Sequence, residues 1–327
     1  MTDWPKRRTK TLAAEAAGIA EAAACLAAGG LVAMPTETVY GLAADATSDR
    51  AIASIYAAKR RPAFNPLIAH VPDLATARRE AIFDAYAERL AAAFWPGALT
   101  LVAPATAGCR VSALARADLD SVALRLPSHP VARALIEAAG VPLAAPSANL
   151  SGHVSPTLPE HVRADLDGRI DIILDAGPTE AGLESTIIAC LDGKPRLLRH
   201  GAIAREDIES VLGFSLPLEE ETNEAAPRAP GMLSSHYAPN ATLRLEAREA
   251  APDEAALDFA GALSRAHAAT RLDLSPGGDL TEAAANLFAF LRTLDQSGAR
   301  RIAVAPIPRQ GLGAAINDRL RRAAAPR

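Results

Sequence analysis

The sequence contains few cysteines and no long apolar run. Three cysteines, Cys25, Cys109 and Cys190, lie far apart among 327 residues and form no CxxC pair. Such spacing argues against a zinc ribbon and a disulfide framework, so we expect a cytoplasmic protein. Without about 18 uninterrupted apolar residues, no transmembrane helix is predicted. Glu15 and Glu21 interrupt the N-terminal Ala-rich stretch, which argues against a signal peptide.

A strong excess of charge is also missing. The formal net charge is -4, and aromatic residues make up 4% of the chain. Nucleic-acid binders usually carry a basic surface, and sequence-blind RNA binding also uses stacking side chains. An RNA-binding module is therefore a disfavoured alternative. Because half of the residues are hydrophobic and 22% are charged, a folded protein with a sizeable core is expected, and its length suits two domains.

The pattern up to about residue 213 predicts a mixed α/β domain, which we assign to residues 1–213. Helical periodicity covers residues 11–28 and 49–59, and again residues 129–140. Short apolar runs predict strands at 31–35, 66–71, 98–105, 121–127 and 141–149, and in DIILDAG, ESTIIACL and PRLLRHG. Helices are interleaved early and strands cluster late, which indicates a mixed sheet.

Residues 214–239 are predicted to be a linker, because Pro, Glu and Ser replace periodic apolar residues there. Residues 240–327 then predict a second, smaller α/β domain with strands in ATLRLEA, ATRLDLSP and RIAVAPI. Its main helix is centred on EAAANLFAFLRTLD and is expected to face the core with Leu287, Phe290, Leu291 and Leu294. A closing helix is predicted in AAINDRLRRAA.

Four polar clusters fall at predicted strand or helix ends: Thr36-Glu37-Thr38, Lys59-Arg60-Arg61, Ser147-Ala148-Asn149 and Glu184-Ser185-Thr186. Ligands of α/β folds bind at the carboxyl ends of strands, so these clusters indicate one converging pocket. Each cluster alone is also explained by helix capping and turn formation. His70 follows a strand, and the residues alone leave open whether its role is structural or functional.

The basic cluster in KRRPAFNPL has two interpretations. Cations at the end of a helix complement its dipole. Arg and Lys near a loop also bind phosphate, Arg through a bidentate fork and Lys as a point charge. The familiar nucleotide loops are missing: Gly177 and Gly182 have Walker spacing, but Leu183-Glu184 stands where Lys-Ser/Thr is required. No HExxH or other metal-ligand spacing occurs, so no metal site is predicted.

Seven ordered motifs resemble the YrdC/TsaC family of threonylcarbamoyl-AMP synthases: PTETVYGLAADA, KRRPAFNPLIAHV, FWPGALTLV, ALRLPSHP, APSANLSG, LESTII and LLRHGAI. APGMLSSHYAP followed by a small α/β domain is similar to the longer, two-domain form. The resemblance implies a YrdC-like twisted mixed sheet and a smaller Rossmann-like domain. One departure is His200, where the family often has Pro between Arg and Gly.

The resemblance implies that L-threonine, bicarbonate and ATP are converted into L-threonylcarbamoyladenylate and pyrophosphate. The product would supply the threonylcarbamoyl group of adenosine 37 in tRNAs reading ANN codons, through a TsaD-type transferase. No strong direct tRNA binding is expected. A related domain occurs in the carbamoyltransferase of hydrogenase maturation, but that protein is much longer and carries CxxC zinc fingers.

The resemblance also implies residue roles. Threonine binding is expected at Thr36, Thr38, His70 and Arg125. ATP binding is expected at Lys59, Arg61, Ser147, Asn149, Ser185 and Arg199, with Lys59 and Arg61 as catalytic residues. Mg2+ is expected to be bound mainly by ATP phosphates and water. The segment APGMLSSHYAP is predicted to be a lid whose His236 and Tyr237 reach the substrates, and a passive tether is the alternative.

Overall fold

The computed structural model describes residues 7–217, 237–264 and 267–326. Its strands form two separate sheets, one with ten strands and one with four. Both sheets are covered by helices, which confirms the predicted fold class of a large mixed sheet with a second, smaller α/β unit. Among the described residues, no helix is long and apolar enough to cross a membrane.

The first unit is built on the ten-stranded sheet. Its strands are β1 (Lys10–Ala13), β2 (Val32–Met34), β3 (Gly41–Asp45), β4 (Ile68–His70), β5 (Leu99–Pro104), β6 (Ser121–Arg125), β7 (Leu143–Ala144), β8 (Ile172–Asp175), β9 (Thr186–Ala189) and β10 (Arg196–Arg199). Their spatial order is β1-β8-β2-β3-β7-β4-β6-β5-β9-β10. Parallel β4–β6 and antiparallel β2–β3 pairs occur together, so the sheet is mixed.

Helices cover both faces of this sheet. They are α1 (Ala16–Ala27), α2 (Asp49–Lys59), α3 (Leu74–Glu80), α4 (Ala85–Phe94), α5 (Pro130–Ala139), α6 (Pro159–Leu166) and α7 (Arg205–Leu212). Four begin at a side-chain cap that satisfies a free backbone N–H: Ser48, Asp73, Asp84 and His129. Helices α1 and α5 pack together through Leu26 and Leu135, whereas Ile52 and Ile55 of α2 belong to a second apolar cluster.

The N-terminal part of the helix predicted at 11–28 is wrong, because Lys10–Ala13 form strand β1. This strand pairs in parallel with β8, with Lys10 opposite Ile172. The Thr9 hydroxyl also donates to the carbonyl of Ile170 at 2.7 Å. Pairing with a strand about 160 residues away overrides the local helical preference of the Ala-rich sequence.

The second unit has a fully parallel sheet in the order β11-β14-β12-β13. Its elements are β11 (Thr242–Arg244), β12 (Ala255–Asp258), β13 (Thr270–Asp273), α8 (Leu280–Gln296), β14 (Arg301–Val304) and α9 (Leu312–Ala324). Strand β12 lies inside the sheet, although no strand was predicted there. In α8, Phe288 is fully buried and Phe290 only partly, so the predicted inward face is displaced at that position.

The two units are in direct contact through α8 and α9. Arg292 of α8 donates to the Asp165 carboxylate at 2.8 Å. Arg319 of α9 donates to the Glu184 carboxylate at 2.9 Å. Leu183 of the first unit also belongs to the apolar cluster that forms the core of the second. The boundaries 1–213, 214–239 and 240–327 themselves stay predictions.

Candidate functional site

A pocket opens in the first unit where several strand ends meet. It is lined by Thr36, Thr38, Val39, Gly41, Arg61, Ile68, His70, Arg125, Ala145, Pro146, Ser147, Glu184, Ser185, Arg199 and Tyr237. Nine predicted site residues therefore share one pocket. We call Thr36, Thr38, His70 and Arg125 the β4–β6 side, and Glu184, Ser185, Arg199 and Tyr237 the β9–β10 side.

The two threonines that follow β2 form a tight polar turn. The Thr36 hydroxyl donates to the carbonyl of Val39 at 2.7 Å, and the Thr36 and Thr38 hydroxyl oxygens lie 2.8 Å apart. Arg125 Nη1 donates to Thr38 Oγ1 at 2.9 Å. The hydroxyl groups thus organise the turn, and they line the pocket at the same time.

Arg125 forms a buried ion pair with Glu37. Arg125 Nη2 and Glu37 Oε1 are 2.7 Å apart, and both side chains are at most 10% exposed. Burial alone would raise the pKa of Glu37, but the charge of Arg125 outweighs it and lowers the pKa. The arginine expected to meet a substrate carboxylate therefore already has an internal partner.

His70 lies beside Arg125, because β4 and β6 are parallel and these residues are opposite in register. Burial, followed by the charge of Arg125, lowers the pKa of His70 to about 3. The ring is consequently neutral at pH 7. Among the described residues, Nδ1 of His70 has no hydrogen-bond partner. It is a buried polar atom on the wall of the pocket, where a ligand could satisfy it.

The three adjacent cations at the end of α2 have different environments. Arg60 is the C-cap and adopts the left-handed conformation (φ 53°, ψ 39°). Its side chain is exposed, whereas Lys59 and Arg61 are 1% and 9% exposed. Arg61 lines the pocket and also donates to the carbonyl of Pro66 at 3.1 Å. The basic cluster therefore contributes two buried cations rather than a charged surface.

Lys59 holds the Ser-Ala-Asn loop. Its Nζ donates to the carbonyls of Ser147 and Asn149. Burial, followed by the charge of Arg61, lowers the Lys59 pKa well below its ordinary value. The Asn149 amide nitrogen donates to the carbonyl of His153 at 2.8 Å. Lys59 and Asn149 are absent from the pocket wall defined above, so the structure places both just behind it.

The β9–β10 side is organised by Arg199. Its Nε and Nη2 donate to the Ser185 carbonyl at 3.1 and 2.8 Å, and Nη2 also reaches Ser185 Oγ at 3.1 Å. Ser185 Oγ lies 2.7 Å from Thr100 Oγ1. At Gly201 a Cβ atom would lie 2.3 Å from the backbone nitrogen of Thr186. Glycine is therefore required after His200, whatever residue occupies position 200.

Tyr237 closes this side of the pocket and is 1% exposed. Its ring stacks on Phe288 with centroids 5.5 Å apart, and the guanidinium of Arg319 lies 5.1 Å from the ring centroid. The other residue of the predicted lid, His236, lies outside the described residues. Tyr237 therefore contacts both the pocket and the second unit.

The sequence placed Glu184 in a polar cluster expected at the pocket but gave it no role of its own, and Arg319 was not predicted at all. A signal for Arg319 was available: it lies in the buried stripe of α9 with Ala315, Ile316 and Leu320. An arginine within an apolar helix face requires a buried partner. Within the described ranges, no group of three or more His, Cys, Asp or Glu residues is arranged to hold a metal ion.

Comparison with known families decides the identity of the chain. Residues 24–201 match the family Sua5_yciO_yrdC, described as "Telomere recombination". Residues 203–325 match "Threonylcarbamoyl-AMP synthase, C-terminal domain". The threonylcarbamoyl-AMP synthase of Bacillus subtilis is 41% identical over 94% of this chain and 92% of its own length. The chain belongs to the threonylcarbamoyl-AMP synthase family.

Solved structures agree with this assignment. The crystal structure of Pyrococcus abyssi Sua5 complexed with L-threonine superposes with a TM-score of 0.88 at 36% identity, covering 97% of both chains. A full-length HypF structure has a TM-score of 0.52 at 21% identity and covers 57% of this chain but 30% of its own. That second likeness concerns the fold alone.

Proposed function

We propose that this chain makes L-threonylcarbamoyladenylate from L-threonine, bicarbonate and ATP, with release of pyrophosphate. The observation that carries the proposal is one pocket with two chemically different sides, in a chain that resembles threonylcarbamoyl-AMP synthases along almost its whole length. The enzyme is then a nucleotidyltransferase, because an adenylyl group moves from pyrophosphate to the threonylcarbamate.

Threonine binds on the β4–β6 side in this proposal. Neutral His70 offers the unsatisfied Nδ1, and the hydroxyl groups of Thr36 and Thr38 lie on the same wall. Arg125 binds the substrate carboxylate while keeping its pair with Glu37, because a guanidinium has five N–H donors. The apolar side chains of Ile68 and Ala145 also line the pocket and provide a surface for the substrate methyl group.

ATP binds on the β9–β10 side, with its phosphates towards Arg61 and Ser147. Arg61, Arg199 and Arg125 place three cationic groups along the pocket, which suits a polyanion. Ser185 completes this side. Lys59 and Asn149 support the loop behind Ser147, so we propose that Lys59 acts by fixing that loop.

The chemistry requires no nucleophilic side chain. The threonine nitrogen captures CO2 with loss of a proton, or bicarbonate with loss of water, to form a carbamate. The carbamate oxygen attacks the α-phosphorus while the bond to pyrophosphate breaks. Buried cations stabilise the charge that develops on the phosphoryl oxygens. The pocket carboxylate of Glu184 is already bound by Arg319. We therefore propose that Mg2+ would be held mainly by the ATP phosphates and water, and would supply positive charge for the leaving pyrophosphate.

The remaining steps follow from the product. The product is a mixed anhydride, which must reach its acceptor before water hydrolyses it. The proposed consumer is therefore a TsaD-type transferase that acts on adenosine 37 of ANN-reading tRNAs. A cytoplasmic location is proposed from the cysteine pattern.

We further propose that the segment ending at Tyr237 is a lid that excludes water. Limited proteolysis should cut this segment in the free protein and spare it with ATP and threonine bound; equal cleavage would favour a passive tether.

The proposal is tested by mass spectrometry of the product from ATP, threonine and bicarbonate. Lys59→Ala and Arg61→Ala should each lower the rate by roughly 100-fold to 1000-fold, because a preorganised electrostatic contact is lost. Arg60→Ala is the matched control, since the neighbouring cation is exposed, and it should retain the wild-type rate. A wild-type protein that binds tRNA at low salt yet forms no adenylate would favour the RNA-binding alternative. A Lys59→Ala or Arg61→Ala variant within threefold of wild type would remove that residue from the mechanism.

A further inference from the structure

The second unit contributes a buried arginine to the back of the pocket. Arg319 of α9 is 0% exposed. Its guanidinium donates to Glu184 Oε2 at 2.9 Å, to Asp318 Oδ2 at 2.6 Å and to the His200 carbonyl at 2.8 Å. Two of these three partners belong to the first unit. Arg319 therefore joins the units at one fixed point.

Each partner of Arg319 in the first unit adjoins a residue of the pocket wall. Glu184 lines the pocket itself and precedes Ser185, while His200 follows Arg199. The Glu184 carboxylate also accepts a hydrogen bond from Ser155 at 2.5 Å. Arg319 consequently holds the ends of both β9 and β10, the two strands that present Ser185 and Arg199.

Arg319 also fixes Tyr237. The tyrosine ring has Phe288 within stacking distance and the Arg319 guanidinium 5.1 Å from its centroid. A cation near an aromatic ring in a desolvated site is stabilising. The same guanidinium thus sets the position of an aromatic wall and of a carboxylate in one pocket.

The contact between Arg319 and Glu184 matters because Glu184 carries a negative charge in the pocket wall. A carboxylate in the wall repels a triphosphate unless a cation balances it. Burial would raise the pKa of Glu184, but Arg319 and then Arg199 lower it to about 2, so Glu184 is anionic at pH 7. Arg319 balances this charge from behind the pocket wall, because it is not itself one of the lining residues.

We propose that Arg319 is a positioning residue for ATP, acting through Glu184 and Tyr237 from the second unit. The inference rests on the proposed function, because it assigns the nucleotide to the β9–β10 side. It predicts a separation of substrate effects: loss of Arg319 weakens ATP binding, whereas threonine binding on the opposite side is unaffected. It also predicts that removing the charge of Glu184 partly compensates for the loss of Arg319.

The test measures kcat and separate KM values for ATP and threonine in Arg319→Met, Arg319→Lys, Glu184→Gln and the Arg319→Met/Glu184→Gln double variant. Arg319→Met should lower kcat/KM for ATP by up to about 100-fold, as displaced binding groups do, with KM for threonine within twofold of wild type. In the double variant, kcat/KM for ATP should be at least threefold higher than in Arg319→Met. The kcat/KM for ATP of Arg319→Lys should lie between those of wild type and Arg319→Met, because lysine keeps the positive charge but not the planar, forked donor group of arginine.

Arg244→Met is the matched control. Arg244 binds the buried carboxylate of Glu254 through two hydrogen bonds, at 3.1 and 2.6 Å, entirely within the second unit. It should leave both KM values unchanged. If Arg319→Met fails to fold, Arg319→Lys decides by the same ATP measurement. Calorimetric ATP binding separates this inference from the proposed reaction, since it needs no turnover. Equal effects of Arg319→Met and Arg244→Met, or a double variant as impaired as Arg319→Met, would overturn the proposal.

Discussion

The two sides of the pocket each contain a buried arginine–carboxylate pair, but the pairs have different origins. Arg125 and Glu37 both belong to the first unit, whereas Glu184 is bound by an arginine of the second. The β4–β6 side is therefore complete within one unit, and the β9–β10 side is completed by α9. A single pocket therefore combines a self-contained site with one that depends on contact between the units.

The largest effect is expected from Arg125→Met, which breaks the self-contained pair. Removing one partner of a buried ion pair leaves an uncompensated charge and costs about 3–5 kcal/mol. We expect the free energy of unfolding to fall by that amount in urea denaturation, and KM for threonine to rise. Adding Glu37→Gln should restore part of the stability. A loss below about 1 kcal/mol would show that the pair contributes little.

A smaller effect is expected from the substrate methyl group. Threonine should be preferred over serine by about 1–3 kcal/mol, because one methyl group in an apolar pocket contributes no more. The kcat/KM values for the two amino acids measure this difference. Arg319→Met should leave their ratio unchanged, since it acts on the other side. Equal kcat/KM for serine and threonine in the wild type would contradict a shaped pocket near Thr36 and His70.

The titration of His70 should make stability depend on pH through the β4–β6 side. Its folded pKa of about 3 lies below the ordinary 6.5, so the unfolded state binds the proton first as pH falls. The neutral ring's contribution is complete above pH 6.5 and is lost towards pH 3, giving about 2 kcal/mol less stability at pH 5 than at pH 7.5. Unfolding free energies should show a shallower pH dependence in His70→Gln. Identical slopes in the two proteins would refute this assignment.

The smallest effect is expected far from the pocket. The Asp73 carboxylate accepts a hydrogen bond from the Thr76 backbone nitrogen at 2.6 Å and caps α3. Asp73→Ala should cost about 1 kcal/mol and change neither KM. Thermal denaturation measures the change in stability, and steady-state kinetics measures the two KM values. An altered KM for ATP alone would mean that general destabilisation mimics the effect expected for Arg319.

Local patterns predicted the elements that local interactions determine. Helix α2 has the predicted bounds, because Ser48 caps its start and Ile52 and Ile55 keep helical spacing. The pocket was anticipated because polar clusters followed apolar strands. Strand β1, strand β12 and the position of Arg319 were not, since each depends on a partner distant in sequence. Pairing across such distances leaves little trace in a local window.

In the segment Lys59-Arg60-Arg61, the left-handed turn at Arg60 constrains the number of residues more tightly than the type of the middle residue. Arg60 contributes an exposed side chain and a positive φ, which glycine or asparagine would adopt with less strain. Its exposed side chain can therefore vary, although the positive φ disfavours β-branched residues. The number of residues cannot vary, because each residue added to a helix rotates the following side chain by about 100°. A one-residue insertion or deletion here should turn Arg61 away from the pocket, so substitutions are tolerated at a position where changes of length are not.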